Sequence, residues 1–257
     1  MPQDRLALVF FVDAVGWEIV RDGDFFSSVA PHRYRQRTVL GYSCAAQPTI
    51  LTGRMPSEHG HWGMYRRTSR SEMASLRAFG MLPRAISDHP RFRRQVLLWH
   101  RRRSGFSGYY HLYRIPWRLF AEFDAVEKRD IYAPGGFVAF DAPGPRKAPR
   151  APIVVASIFD LLAERGIPWR SWSWKHGFDQ SFAELEASFR GDGRPAFALL
   201  YTAHIDGFLH GHAGDREAIA RALRMVEAKV VHAVEAARAA YDRVDVVVLS
   251  DHGMAET

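Results

Sequence analysis

Three stretches of the chain are apolar without alternation, and they set the frame for everything else. Residues 6–12 read Leu-Ala-Leu-Val-Phe-Phe-Val, residues 196–201 read Ala-Phe-Ala-Leu-Leu-Tyr, and residues 244–249 read Val-Asp-Val-Val-Val-Leu. Short continuous apolar runs fit strands buried on both faces, as in a parallel sheet, better than strands with one wet face. Between them the period changes. Over 216–241, Ile219, Leu223, Val226, Val230, Val234 and Tyr241 recur at three- and four-residue steps among Arg and Glu, which predicts an amphipathic helix. A second helix is predicted over 156–165, closed by Gly166. A third is predicted over 181–189, where Ser181 and Glu184 resemble a capping box. Helices alternating with buried strands predict an α/β fold with a mostly parallel central sheet flanked by helices.

Residues 66–150 break that alternation. Arg91, Arg93, Arg94, Arg101, Arg102 and Arg103 crowd together, followed by Phe106, Tyr109, Tyr110, Tyr113, Trp117 and Phe120. Pro143, Pro145, Pro149 and Pro152 then mark a loop-like return to the α/β pattern. The expected organisation is a core of residues 1–65 and 151–257 with an Arg- and aromatic-rich cap inserted at 66–150. The cap reads either as a solvated charged face over a small aromatic core or as a surface for anionic substrates. Single-stranded nucleic acid suits the same texture, but no nucleic-acid-binding module is recognisable, so nucleic acid is not the expected partner.

Composition narrows the class. The 257 residues are 47% hydrophobic and 25% charged, which excludes disordered, collagenous and coiled-coil chains. The single cysteine, Cys44, allows neither an internal disulfide nor a cysteine-rich zinc site. The apolar run at 6–12 is far short of the roughly 20 residues a membrane span needs, and it lacks the flanks of a signal peptide. A cytoplasmic protein is the expectation. The formal charge of +7 favours anionic partners.

Each apolar run empties into acidic and imidazole side chains: Asp13 after the first, His204, Asp206, His210 and His212 after the second, Asp251 and His252 after the third. Sites in open parallel sheets form beyond the carboxyl ends of the strands. Carboxylates mixed with imidazoles suit zinc or manganese better than magnesium or calcium. Five of them, Asp13, Asp206, His210, Asp251 and His252, exceed one tetrahedral set, so two metal ions acting on a phosphorus centre are the economical reading. Ser43, at the head of a helix-like segment ending at Gly53, offers a hydroxyl nucleophile that a metal would activate. Each residue also has a plainer role. Asp13 could cap a loop, Ser43 a helix, and Asp206 with His210 could be a solvated pair; Asp251-His252, straight after an apolar strand, most needs a partner or a metal.

The segments Val12-Asp13, Thr52-Gly53-Arg54-Met55-Pro56-Ser57-Glu58-His59-Gly60, Asp206-Gly207-Phe208-Leu209-His210 and Ser250-Asp251-His252-Gly253-Met254 occur in the order found in the alkaline phosphatase superfamily. They resemble most its type I phosphodiesterase/nucleotide pyrophosphatase branch. There the nucleophile lies nine residues before the Thr of the T-G-x-x-P-x-x-H-G segment, and nine before Thr52 is Ser43. The resemblance implies that Asp13, Ser43, Asp251 and His252 surround one metal and that Ser43 forms a phospho-enzyme intermediate. It implies that Asp206 and His210 hold the second metal, both ions being zinc or manganese. His212 has no secure counterpart in the motif and is read as a contact to substrate or to a neighbouring loop. The family completes its second metal with a further His downstream of the S-D-H-G-M run, and this sequence stops at Thr257, so a fragment of a longer protein is expected. A sulfatase is excluded, since the Pro and Arg its signature requires are replaced by Ala45 and Gln47. Cys44 is then a small buried residue behind the site, and His59 and His61 are loop residues that support it. The expected function is metal-dependent hydrolysis of a phosphoric ester, on a nucleotide, phosphosugar or other anionic phosphate ester. A phosphotransferase, mutase or monoesterase on the same scaffold is the alternative, and an inactive polyanion binder the second.

Overall fold

The computed structural model describes residues 5–40, 42–63, 65–68, 71, 73–104, 115–125, 131–135, 138–139, 153–212 and 214–254. Phe106, Tyr109, Tyr110, Tyr113, Pro143, Pro145, Pro149 and Pro152 lie outside the described residues, as do the side chains of Arg101 and Arg103. The strands are β1 (Arg5–Val12), β2 (Tyr65–Arg67), β3 (Phe123–Ala125), β4 (Val138–Ala139), β5 (Ile153–Val154), β6 (Trp169–Trp172), β7 (Phe197–Thr202) and β8 (Arg243–Leu249). The helices are α1 (Trp17–Val20), α2 (Ser43–Thr52), α3 (Pro56–His59), α4 (Arg84–Ser87), α5 (Pro90–Ser104), α6 (Ile158–Glu164), α7 (Phe178–Ala187), α8 (His204–His212) and α9 (Arg216–Ala240).

Four strands form one sheet in the order β6-β7-β1-β8, every pairing parallel. The three apolar runs are its strands β1, β7 and β8. Register does the work that matters for function: Val12 sits beside Thr202, and Phe11 beside Leu249. The carboxyl ends of β1, β7 and β8 therefore reach one edge of the sheet together, and the residues that follow them meet there.

Alternation along β1 divides the core. Leu6, Leu8, Phe10 and Val12 pack with Phe182 and Leu185 of α7, Ile205 and Leu209 of α8, and Leu223, Val226, Val230 and Val234 of α9. Val9 and Phe11 turn the other way, towards Leu51 of α2, Phe159 and Leu162 of α6, and Ile131, Tyr132 and Tyr201. Each fully buried side chain of this size contributes about 1.5–3 kcal/mol, which is why β1 is apolar from Leu6 to Val12, past the exposed Arg5. Asp215 caps α9 by accepting from Ala218 N at 2.9 Å. Ser157 and Asp160 close a capping box on α6, and Gly166 follows it with φ 61°.

One expectation fails in detail. The helix expected over 181–189 is α7, which begins at Phe178, with Gly177 at φ 80° leading into it. Ser181 is no cap: its Oγ donates to Gly177 O at 2.7 Å, one turn back. Glu184 instead accepts from Trp172 Nε1 at 3.1 Å and from Gln180 Nε2 at 2.7 Å. The polar spacing that mimics a capping box here ties α7 to β6.

A second, smaller core of Met73, Leu76, Val96, Leu97, Trp117 and Phe120 lies within residues 73–120. Arg93 belongs to it, buried with its guanidinium 4.2 Å from the centroid of Trp117 and bonded to Ile115 O. Ile131 and Tyr132 pack instead against the main sheet. Among the described residues no helix is long and apolar enough to cross a membrane.

Candidate metal centre and nucleophile

The loops after β1 and β8 are stitched to each other by main-chain donors. Ala14 N donates to Asp251 Oδ1 at 3.3 Å, and Val15 N donates to Ser250 Oγ at 2.9 Å. Ala14 holds φ 62°, in the left-handed region, which turns the chain immediately after Asp13. Gly16 and Gly253 let the two backbones touch. A Cβ on Gly16 would lie 2.7 Å from Gly253 Cα, and one on Gly253 would lie 2.9 Å from Gly16 Cα. The site therefore rests on two strand ends in register, clamped at their first free residues.

Into this corner α2 delivers Ser43. Its Oγ lies 2.8 Å from His252 Nε2 and 3.3 Å from Asp13 Oδ1. His252 Nδ1 lies 3.0 Å from Gly253 O. A carbonyl can only accept, so Nδ1 carries the proton and Nε2 turns its lone pair to Ser43. His252 Nε2 is also 3.5 Å from Asp13 Oδ1 and 3.6 Å from Asp251 Oδ2. Tyr42, just before Ser43, has φ 56° and sets its ring edge-on to His252 with centroids 6.1 Å apart. Non-glycine residues at positive φ cost energy that the surrounding structure must hold, and they gather at functional sites.

The two carboxylates divide their oxygens in the same way. Asp13 Oδ2 accepts from Tyr201 OH, leaving Oδ1 towards Ser43 and His252. Asp251 Oδ1 accepts from Ala14 N and from His252 N, leaving Oδ2 buried with no hydrogen-bond partner among the described residues. Burial, and then the charge of Asp251, push the Asp13 carboxyl up to about 8. Burial and the charge of Asp13 raise Tyr201 above its ordinary value, so it remains a donor. One donor atom each from Asp13, Asp251 and His252 lies within 4.8 Å of the others. Two buried like charges, an orphaned oxygen and an imidazole lone pair facing one point are what a divalent cation relieves, and the O/O/N donor set suits zinc or manganese.

A family model covers nearly the whole chain: residues 8–257 match type I phosphodiesterase / nucleotide pyrophosphatase. The chain belongs to that family. No individual curated protein matches it. As a phosphodiesterase-family member it is part of the alkaline phosphatase superfamily, whose α/β architecture its parallel sheet shares.

The remaining expected ligands of this phosphodiesterase-family chain lie on α8. Asp206 and His210 are one turn apart, with His210 Nε2 3.5 Å from Asp206 Oδ2, and His210 is largely exposed. Asp206 is near enough that its charge adds to the rise at Asp13. Among the described residues this pair gains no third ligand. His212 stacks on Phe208 with centroids 4.2 Å apart and sits on an exposed turn. His204 stacks on Phe178 at 4.5 Å. Cys44 is half-buried rather than buried, because it takes the second position of α2, at the rim.

Two contributors had no signal of their own in the sequence. Tyr201 ends an apolar run and looks like core. Gly16 matters only through Gly253, more than 230 positions away. His59 lies deeper than a loop residue would. It is fully buried, accepts from His61 N through Nδ1 at 3.1 Å, and contacts Thr49 Oγ1 through Nε2 at 3.0 Å. Thr49 in turn donates to Ala45 O at 2.8 Å, so the imidazole braces the helix that carries Ser43.

Proposed function

We propose that the protein hydrolyses phosphoric esters of the diester or pyrophosphate class, with Ser43 as nucleophile and divalent cations as cofactors. The observation that carries this reading is Ser43 Oγ, 2.8 Å from His252 Nε2 and 3.3 Å from Asp13 Oδ1, beside a buried carboxylate oxygen of Asp251 that has no hydrogen-bond partner among the described residues. Asp13, Asp251, His252 and Ser43 would hold one zinc or manganese ion, and Asp206 with His210 would contribute to a second. Such an ion supplies Lewis acidity and lowers the pKa of a ligated hydroxyl or water. The protein's own part is positional. His252 presents its Nε2 lone pair to the Ser43 hydroxyl, held in that tautomer by Gly253 O. Asp13, fixed through Tyr201, keeps Oδ1 towards the same hydroxyl. Ser43 Oγ then forms a bond to phosphorus as the bond to the leaving oxygen breaks. Water attacks the resulting phosphoserine, releasing the phosphoryl product and restoring Ser43.

The substrate class is a small anionic phosphate ester such as a nucleotide or phosphosugar derivative, which we read from the family and the donor set. In this reading residues 1–65 and 151–257 are the hydrolase core and 66–150 an inserted unit. The test is hydrolysis of bis(p-nitrophenyl) phosphate with added zinc or manganese. Ser43→Ala is expected to lose at least about a thousandfold in kcat/KM, as nucleophile deletions do. Undiminished turnover in Ser43→Ala would remove Ser43 from the mechanism. Faster turnover of p-nitrophenyl phosphate than of the diester would reassign the protein to monoesters.

A further inference from the structure

The helix that carries Ser43 is poorly equipped to hold itself. Pro48 lies inside α2, and proline has no N–H to give to the carbonyl one turn back, at Cys44. The break falls in the turn that joins Ser43 to the rest of the helix. Two threonines load the same ladder: Thr49 Oγ1 donates to Ala45 O at 2.8 Å, and Thr52 Oγ1 to Pro48 O at 2.6 Å. Back-bonding of this kind weakens a helix. Yet Ser43 Oγ stands within reach of groups on two strand ends, 2.8 Å from His252 Nε2 and 3.3 Å from Asp13 Oδ1. Contacts from outside the helix set it there.

Two buried side chains grip α2 at the break. Gln47 and Thr49 flank Pro48 and lie about 200° apart round the helix, on opposite sides. Gln47 shares the face of Ser43, one turn on. Its Oε1 accepts from Tyr132 OH at 3.2 Å, and both side chains are buried. Tyr132 is anchored in its own right. Its carbonyl accepts from Ser171 Oγ of β6 at 2.7 Å, and its ring stacks on Tyr201 at 5.2 Å. Three residues on, Gly135 N donates to Asp160 Oδ1 of α6 at 2.6 Å.

On the other side the grip is His59. The backbone N–H of His61 donates to its Nδ1 at 3.1 Å, so the neutral ring carries its proton on Nε2. That proton faces Thr49 Oγ1 at 3.0 Å, and the Thr49 hydroxyl gives its own hydrogen to Ala45 O. The donors run one way, from α3 to a carbonyl two residues from Ser43.

We propose that His59 and Tyr132 are positioning residues for Ser43, gripping α2 at Thr49 and Gln47 across Pro48 and fixing the turn that presents Oγ to His252 and Asp13. This positioning rests on Ser43 as the nucleophile of the proposed reaction. Neither residue touches substrate or cation, so a lost grip should lower kcat and leave KM and zinc affinity within about twofold. The whole chain is tested for bis(p-nitrophenyl) phosphate hydrolysis at saturating zinc, for zinc affinity against a chelator, and by crystal structures of the variants in chelator. Tyr132→Phe and Thr49→Val nearly keep size and delete one grip each. Each should lower kcat about tenfold and both together about a hundredfold, the effect of a displacement of about 1 Å. His59→Asn keeps an acceptor for His61 N but no donor to Thr49, and should match Thr49→Val. His59→Gln keeps a donor near the Nε2 position and should recover most of the loss. In the Tyr132→Phe, Thr49→Val double variant, Ser43 Oγ should stand more than about 3.5 Å from His252 Nε2.

An unchanged kcat in the double variant overturns the proposal, as does a loss confined to KM or zinc affinity. Equal loss in His59→Asn and His59→Gln would reduce His59 to packing and overturn its part. A Ser43–His252 distance still at 2.8 Å in the double variant overturns the grip whatever turnover does. Full turnover in Ser43→Ala would instead remove the nucleophile, and that distance alone would then decide the grip.

Discussion

At the level of single residues, the carboxylate of Asp13 has two oxygens with different duties, and Tyr201 decides which is which. With Oδ2 held by the phenol, only Oδ1 is left for a cation and for Ser43. Tyr201 is itself fixed by packing, edge-on to Phe11 at 5.2 Å and stacked on Tyr132 at 5.2 Å. Tyr201→Phe keeps the ring and deletes the donor. Groups that orient a metal ligand from behind typically change affinity ten- to a hundredfold. Zinc or manganese affinity, measured against a competing chelator, should fall by that factor while circular dichroism stays unchanged. Tyr132→Phe, which deletes the hydroxyl on Gln47 instead, should leave the affinity in place. If both variants bind like the wild type, Asp13 is oriented by its backbone alone. Nothing in the sequence distinguishes Tyr201 from the apolar run it closes, since its function depends on Asp13, 188 positions earlier. Asp13, Asp251 and His252 were legible for the opposite reason: polar groups directly after an apolar strand are conspicuous.

At the level of elements, the site is an agreement between strand ends, and its weakest tolerance is the Gly16–Gly253 contact. A methyl at Gly16 would meet Gly253 backbone at 2.7 Å, and backbone has no rotamer to move away. Gly16→Ala should force the β1 and β8 loops apart, costing about 1–3 kcal/mol as overpacked sites do. The Ala14–Asp251 and Val15–Ser250 bonds would lengthen with it. Chemical denaturation gives the first effect and cation titration the second; a variant with native stability and affinity would show that the loops flex freely. Strands β1 and β7 were legible because burial on both faces leaves an apolar run; β8 reads alike through Val246-Val247-Val248, although it is an edge strand with no fully buried side chain. Strand β6 was not: its Trp-Arg-Ser-Trp sequence reflects an edge position with half-buried sides. The start of α7 was misplaced because Ser181 and Glu184 have the spacing of a capping box but bond to Gly177 and Trp172.

At the scale of the whole molecule, two buried groups pull stability in opposite directions with pH. Asp13 titrates near 8 when folded, against about 3.9 in an unfolded chain. Between those values the folded metal-free protein holds a proton that the unfolded chain does not, so stability increases as pH falls from about 8. His59 is the reverse. Burial, then the charge of His61, press it down to about 4, and its Nδ1 already accepts from His61 N. The unfolded chain takes up that proton from about 6.5 downwards, so stability from His59 is lost as pH falls towards 4. One proton on each side gives slopes of up to about 1.4 kcal/mol per pH unit, equal and opposite. The metal-free protein should therefore gain stability from pH 8.5 to 6.5 and stay level between 6.5 and about 4. A bound cation replaces the Asp13 proton, so with saturating zinc or manganese the gain should vanish, and acidification should destabilise by displacing the ion. Urea denaturation at pH 8.5 and 6.5, with chelator and with metal, reads both halves. In chelator, Asp13→Asn should abolish the rise between 8.5 and 6.5 without touching the behaviour below 6.5. Should the metal-free wild type prove more stable at 8.5 than at 6.5, Asp13 does not carry the proton that its burial beside Asp251 demands.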